Sequence, residues 1–158
     1  MKNFEETASA CALNRIFGFE PKIAAALLEH FGSATEVMKL TPKDQELLLG
    51  PYSKYAGMIG PGAVEEAAKE LDELAKKDIY FLEQTQETYP ALLKECEDAP
   101  IGLYIRSRTP AESLFQPKQN IAVVGTRDIS LYGEEWCMFG HSCFEGNFSA
   151  LHHSYESD

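Results

Sequence analysis

Apolar residues recur at helical spacing through the first half of the chain and gather into short, unbroken, β-branched runs in the second. Ala8, Cys11, Ala12 and Ile16 mark one helical stripe, and Ile23, Ala24, Leu27, Leu28 and Phe31 mark another. The spacing predicts helices from residue 4 to about 39, joined by a tight hairpin at Gly18-Phe19-Glu20-Pro21. Pro21 suits the first turn of the second helix, and Gly32 is placed to close it. Thr41-Pro42 opens a further helix, and Ile59-Gly60-Pro61-Gly62 opens a long one over about 61–77. In that last helix Ala63, Ala67, Leu71, Leu74 and Ala75 form the apolar stripe. Lys69, Glu70, Asp72, Glu73, Lys76 and Lys77 form a solvated face.

At Ile79-Tyr80-Phe81-Leu82 the period changes from helical to strand-like, which sets a domain boundary after residue 78. A helix from Pro90 to Cys96, a strand at Leu103 to Ile105, a loop through Thr109-Pro110 and Gln116-Pro117, and a strand at Ile121 to Val124 follow. Four apolar residues in a row at 121–124 suit a strand covered on both faces. The expected fold class is therefore α/β. A helical domain over 1–78 precedes an incomplete Rossmann-like, mostly parallel sheet over 79–137, with strands 79–82, 103–105 and 121–124 in one sheet.

The stretch after the last of these strands carries the candidate chemistry. Gly125 permits a sharp turn where a Cβ would crowd the chain. Ser130 is placed to cap the next helix, whose free N–H groups would face the loop that holds Arg127. A cation and backbone amides together make an anion-binding arrangement. The alternative role for Arg127 is an ion pair with Asp128 or a neighbouring glutamate. Arg106 and Arg108, just past a strand end, either line the same groove or solvate the loop. Tyr104 and Tyr132 are candidate stacking surfaces for bases, with Tyr104 expected in the core.

The order Tyr89-Pro90, Leu92-Leu93, Asp98-Ala99-Pro100, Leu103-Tyr104, then Val124-Gly125-Thr126-Arg127 and Tyr132-Gly133 resembles the DNA-processing protein A family (DprA, also called Smf). The resemblance extends to the N-terminal helices, of helix-hairpin-helix or SAM-like type, and spans roughly residues 1 to 137. It implies a non-enzymatic protein that binds and protects single-stranded DNA during natural transformation and helps load a RecA-type recombinase. It also implies homodimerisation in the intact family. By resemblance the DNA-binding positions are Gly125, Thr126 and Arg127, with Ser130, Tyr132 and Gly133 shaping the turn. No cofactor is implied.

Charge complicates this picture. The 158 residues carry a net charge of −11, and 44% hydrophobic content is ample for a core. Residues 1–78 hold nine Lys/Arg against thirteen Asp/Glu, and residues 79–158 hold five against twelve, so neither half is basic. DNA contact must then come from a few local cations and amides. At the hairpin, Glu20 stands where a phosphate-binding Gly-x-Gly turn would have its second glycine. Its carboxylate favours the helix start but repels phosphate, so the hairpin reads as scaffold. Gly60-Pro61-Gly62, followed by Glu65 and Glu66, reads the same way.

Cys11, Cys96, Cys137 and Cys143 form no Cys-x-x-Cys pair, and no signal segment is recognisable, so the expected setting is the reducing cytoplasm. Apolar runs fall far short of a membrane-spanning helix.

Beyond Cys137 the pattern breaks. Met138 to Asp158 contains no Lys or Arg, three of the four histidines and four serines, with Gly140 and Gly146 interrupting any helix. The family's next strand and its Ser-Gly-Leu-Ala-like loop do not follow. Residues 138–158 are expected to be a frame-shifted or otherwise non-cognate tail of low order, leaving a truncated family member with impaired function. A zinc site from Cys137, His141, Cys143 and His152 or His153 is the rival for this segment, but its spacing fits no compact knuckle.

Two other function classes compete for the chain. A nucleotide-binding Rossmann-type enzyme would use the strand-glycine-helix unit. Against it, there is no Gly-x-Gly-x-x-Gly, no P-loop and no ordered catalytic triad. A helical interaction module would rely on residues 1–78 alone.

Overall fold

The computed structural model describes residues 4–107, 111–115 and 130–136. The chain divides into two compact units, residues 1–118 and 119–158. The first contains helices α1 (Phe4–Phe17), α2 (Pro21–Phe31), α3 (Ala34–Met38), α4 (Pro42–Leu49) and α5 (Pro61–Ala75), then strand β1 (Ile79–Glu83), α6 (Ala91–Lys94), strand β2 (Gly102–Arg106) and α7 (Ala111–Leu114). Helices and strands thus mix as expected, with helices dominant.

Local chemistry sets the helix ends. Pro21 occupies the first turn of α2, and Gly32, in the left-handed region at φ 79°, closes it by donating its N–H to Leu28 O at 2.8 Å. Ser33 Oγ accepts from Glu36 N–H to start α3. Thr41 and Asp44 form a reciprocal capping box on α4. That contact also holds the Asp44 carboxyl below its ordinary pKa, through the hydrogen bond from the Thr41 side chain. Glu6 reaches across from α1 to α3, where it accepts from Ala34 N–H at 2.7 Å and Thr35 N–H at 3.0 Å. A carboxylate on the first turn of another helix satisfies amides that have no intrahelical partner.

Helix α1 packs against α2, α3, α5, β1 and β2. Six consecutive residues, Ala8 to Leu13, are buried, because neighbours approach this helix from several sides rather than along one stripe. Leu13, Phe17, Ala24, Leu27, Val37, Tyr55, Ile59, Ala67 and Leu71 join Phe81 and Ile101 in one core cluster. The sequence junction at 78/79 lies inside this first unit. Asp78 turns the chain there at φ 57°, a conformation aspartate tolerates better than most residues.

The two strands pair antiparallel, with Phe81 opposite Tyr104 and Leu82 opposite Leu103. The expected sheet was mostly parallel, and for this pair that is corrected. A parallel crossover must carry the chain back along the strand, about 17 Å for five residues. Helix α6, with four residues, covers only about 6 Å. Instead successive turns fold the connection onto one end of the pair, and Gln84 N–H meets Ile101 O at 2.9 Å beside the first ladder rung.

Alternation along the strands gives the hairpin two buried faces. Phe81 enters the core against the helices, while Leu82 and Ile105 bury with Tyr89 and are flanked by Tyr80, Leu93, Leu103, Leu114 and Phe115. Helix α7 is a four-residue turn inside the stretch expected to be loop. Ile121 to Val124, and with it the expected third strand, lies outside the described residues, as does the segment 138–158.

Candidate nucleic-acid interface

Of the six residues proposed to meet or shape a DNA site, Ser130, Tyr132 and Gly133 are described, and Gly125, Thr126 and Arg127 lie outside the described residues. Residues 131–136 are helical. Ser130 precedes this helix, its Oγ accepting from Gly133 N–H at 3.2 Å while its carbonyl accepts from Glu134 N–H at 2.9 Å. This is the capping geometry expected of a serine at a helix start. It fixes where the helix begins, with the cap three residues after Arg127 in the sequence.

Tyr132 is 69% exposed and meets Trp136 edge-on, centroids 6.1 Å apart. The pair is one helical turn apart, so the i, i+4 spacing was the readable signal for a partner that sequence reasoning passed over. Two exposed aromatic rings on one helix face provide flat π surface beside a capped helix start. Glu134 and Glu135 on the same short helix add negative charge, which disfavours a phosphate along the helix itself.

In the first unit five of the ten described cations are engaged with carboxylates. Arg15 pairs with Glu66 and Glu70 at 3.7 and 3.2 Å, Lys22 with Glu97 at 2.8 Å, Lys39 with Glu36 at 2.6 Å, and Lys54 with Glu20 at 2.7 Å. Lys76 also pairs with Glu73. Each bridge removes a local attraction for phosphate. Exposed pairs of this kind stabilise the fold little.

The Gly18–Pro21 hairpin behaves as scaffold. Glu20 N–H donates to Phe17 O at 2.8 Å, and Ile23 N–H donates to Glu20 O at 3.0 Å, so these amides close the turn rather than point outward. Lys54 holds the Glu20 carboxyl below its ordinary pKa through their hydrogen bond, and Glu20 in turn raises the lysine.

Tyr104, expected in the core, is 41% exposed. Its ring packs on Phe81 with centroids 5.2 Å apart, and its hydroxyl lies 3.2 Å from Cys11 Sγ. Burial raises the pKa of both the Cys11 thiol and the Tyr104 hydroxyl, so this contact between α1 and β2 is a neutral one and Cys11 is not an activated nucleophile. Arg106 ends β2 opposite Ile79, with its side chain exposed. Arg108 is not among the described residues. The candidate zinc ligands Cys137, His141, Cys143, His152 and His153 are likewise outside them, and the described residues contain no group of side chains suited to a metal. No described helix is long and apolar enough to cross a membrane.

No curated protein and no solved structure matches the chain. The sequence model of one family, described as DNA recombination-mediator protein A, matches residues 80–145. The match includes every motif in the ordered series from Tyr89 to Gly133 and runs on through the first residues of the segment assigned above to a non-cognate tail. Over residues 80–145 the chain is thus similar to the DNA recombination-mediator protein A family.

Proposed function

We propose that this chain binds single-stranded DNA and serves DNA uptake and recombination by protecting the strand and passing it to a RecA-type recombinase, without a catalytic step of its own. In this reading Gly125 and Thr126 let the backbone approach a phosphate and Arg127 supplies the charge, with Ser130, Tyr132 and Gly133 shaping the turn. The observation that carries it is the Ser130 cap within the family-matched segment. A serine side chain on Gly133 N–H starts a helix at the residue where an anion-binding loop needs one. The pairing of Arg15, Lys22, Lys39, Lys54 and Lys76 with carboxylates fits the same assignment, because it reduces the charge these five offer to a phosphate.

Titration of the full chain with a labelled oligothymidylate, in parallel with mononucleotides, tests the reading. Saturable, salt-sensitive binding of the oligonucleotide with no competition from ATP or NAD is expected. Tight nucleotide binding without affinity for the oligonucleotide would instead favour the Rossmann-type enzyme.

A further inference from the structure

Two aromatic side chains on the helical part of the chain stand almost wholly in solvent. Phe19 is 101% exposed and Tyr52 is 98% exposed. Each occupies the third position of a hydrogen-bonded four-residue turn. Phe19 sits in the turn closed by Glu20 N–H to Phe17 O at 2.8 Å, and Tyr52 in the turn closed by Ser53 N–H to Gly50 O at 3.2 Å. The 2.7 Å bridge from Lys54 to Glu20 ties these two turns together. Two rings are therefore held outward on adjoining, braced loops, at the joint where the backbone amides are already used.

We propose that Phe19 and Tyr52 form a base-stacking contact for single-stranded DNA, outside the family-matched segment 80–145 and additional to the Arg127 loop. This rests on the reading that the chain binds single strands. The chemistry favours bases over a protein partner. The residues flanking the rings in sequence are Gly18, Glu20, Pro51 and Ser53, none with a large aliphatic side chain, whereas a stable protein contact takes roughly 800 Å² per side. A base needs only one flat face, and stacking tolerates any sequence. An aromatic side chain with two rotatable bonds on a closed turn also loses little freedom when a base covers it. The Lys54–Glu20 bridge lowers the repulsion that Glu20 alone would exert on a passing phosphate.

The test uses the full chain, with binding of a fluorescein-labelled oligothymidylate followed by anisotropy at two salt concentrations. The variants are Phe19→Ala, Tyr52→Ala, Tyr52→Phe and Arg127→Ala. Each aromatic-to-alanine change is expected to weaken binding about 5- to 150-fold, with the thermal melt unchanged because neither ring is buried. The salt slope should not change, since no phosphate contact is removed. Tyr52→Phe should keep the affinity. An abasic sugar-phosphate oligomer should bind wild type and Phe19→Ala alike. Wild-type affinity in both alanine variants overturns the proposal, whatever Arg127→Ala does. Unchanged DNA affinity with a shift in sedimentation would assign the patch to self-association and equally overturn it. If the alanine variants lose affinity while Arg127→Ala does not, the stacking contact stands and the glycine-loop reading fails. A wild-type chain with no affinity for the oligomer removes both.

Discussion

The ring of Phe81 lies directly over Gly102 on the neighbouring strand, so that a Cβ built at Gly102 would stand 2.1 Å from Phe81 Cζ. Phe81 belongs to the core shared by α1, α5 and the hairpin and is buried there, so its ring can yield only by disturbing packed neighbours. The glycine is needed here for close approach, with an aromatic ring covering the bare backbone of the opposite strand. Gly102→Ala is expected to destabilise the first unit by about 1–3 kcal/mol through overpacking. A urea melt that leaves the midpoint unchanged would contradict this packing.

A second prediction concerns Gln45, which is 2% exposed. Its Nε2 donates to Leu40 O at 3.0 Å and Ile59 O at 2.8 Å, while its Oε1 accepts from Gly57 N–H at 3.0 Å. One side chain thus satisfies three backbone groups on both sides of α4. Gln45→Leu fills similar volume but leaves those groups unpaired, and a loss of about 1–3 kcal/mol is expected. Gln45→Glu keeps the acceptor but loses the amide donors, so it should not restore stability.

Alkaline pH supplies the third. Tyr89 is buried, donates its hydroxyl to Pro100 O at 2.8 Å, and has its pKa pushed up to about 12, chiefly by desolvation. An unfolded tyrosine ionises near 10, so over this interval the folded state holds the proton that the unfolded state has released. Stability from this group is complete below about pH 10 and is lost as pH rises towards 12. Cys11 and Tyr104, both raised by burial, act in the same direction. Tyr89→Phe should therefore flatten the alkaline limb of a stability-against-pH curve. A curve as steep as that of wild type would rule out Tyr89 as a contributor.

The helical half was readable because its signals are local. Pro21, Gly32 and the Thr41-Pro42 start each act within one turn, and the structure ends its helices there. The direction of strand pairing was not readable, because it depends on how far residues 84–101 carry the chain. The apolar run at 79–82 is compatible with either direction. The half-exposed position of Tyr104 depends on its contacts with Phe81 and Cys11, neither of which has a sequence signal of its own. At the candidate interface Ser130 was legible as a cap, since serine before a helix has a local mechanism. The Lys54–Glu20 bridge was not, since 34 residues separate its partners.

The central claim concerns Arg127, and the salt dependence of single-strand binding tests it most directly. One arginine–phosphate contact releases counterions in a way that changes the slope of log affinity against log salt by about 0.7 on a single strand. Arg127→Ala, with folding checked by its melt, is expected to lose most of the affinity and to flatten the slope by about that amount. An Arg127→Ala chain that binds the oligothymidylate with wild-type affinity and wild-type slope would contradict the account.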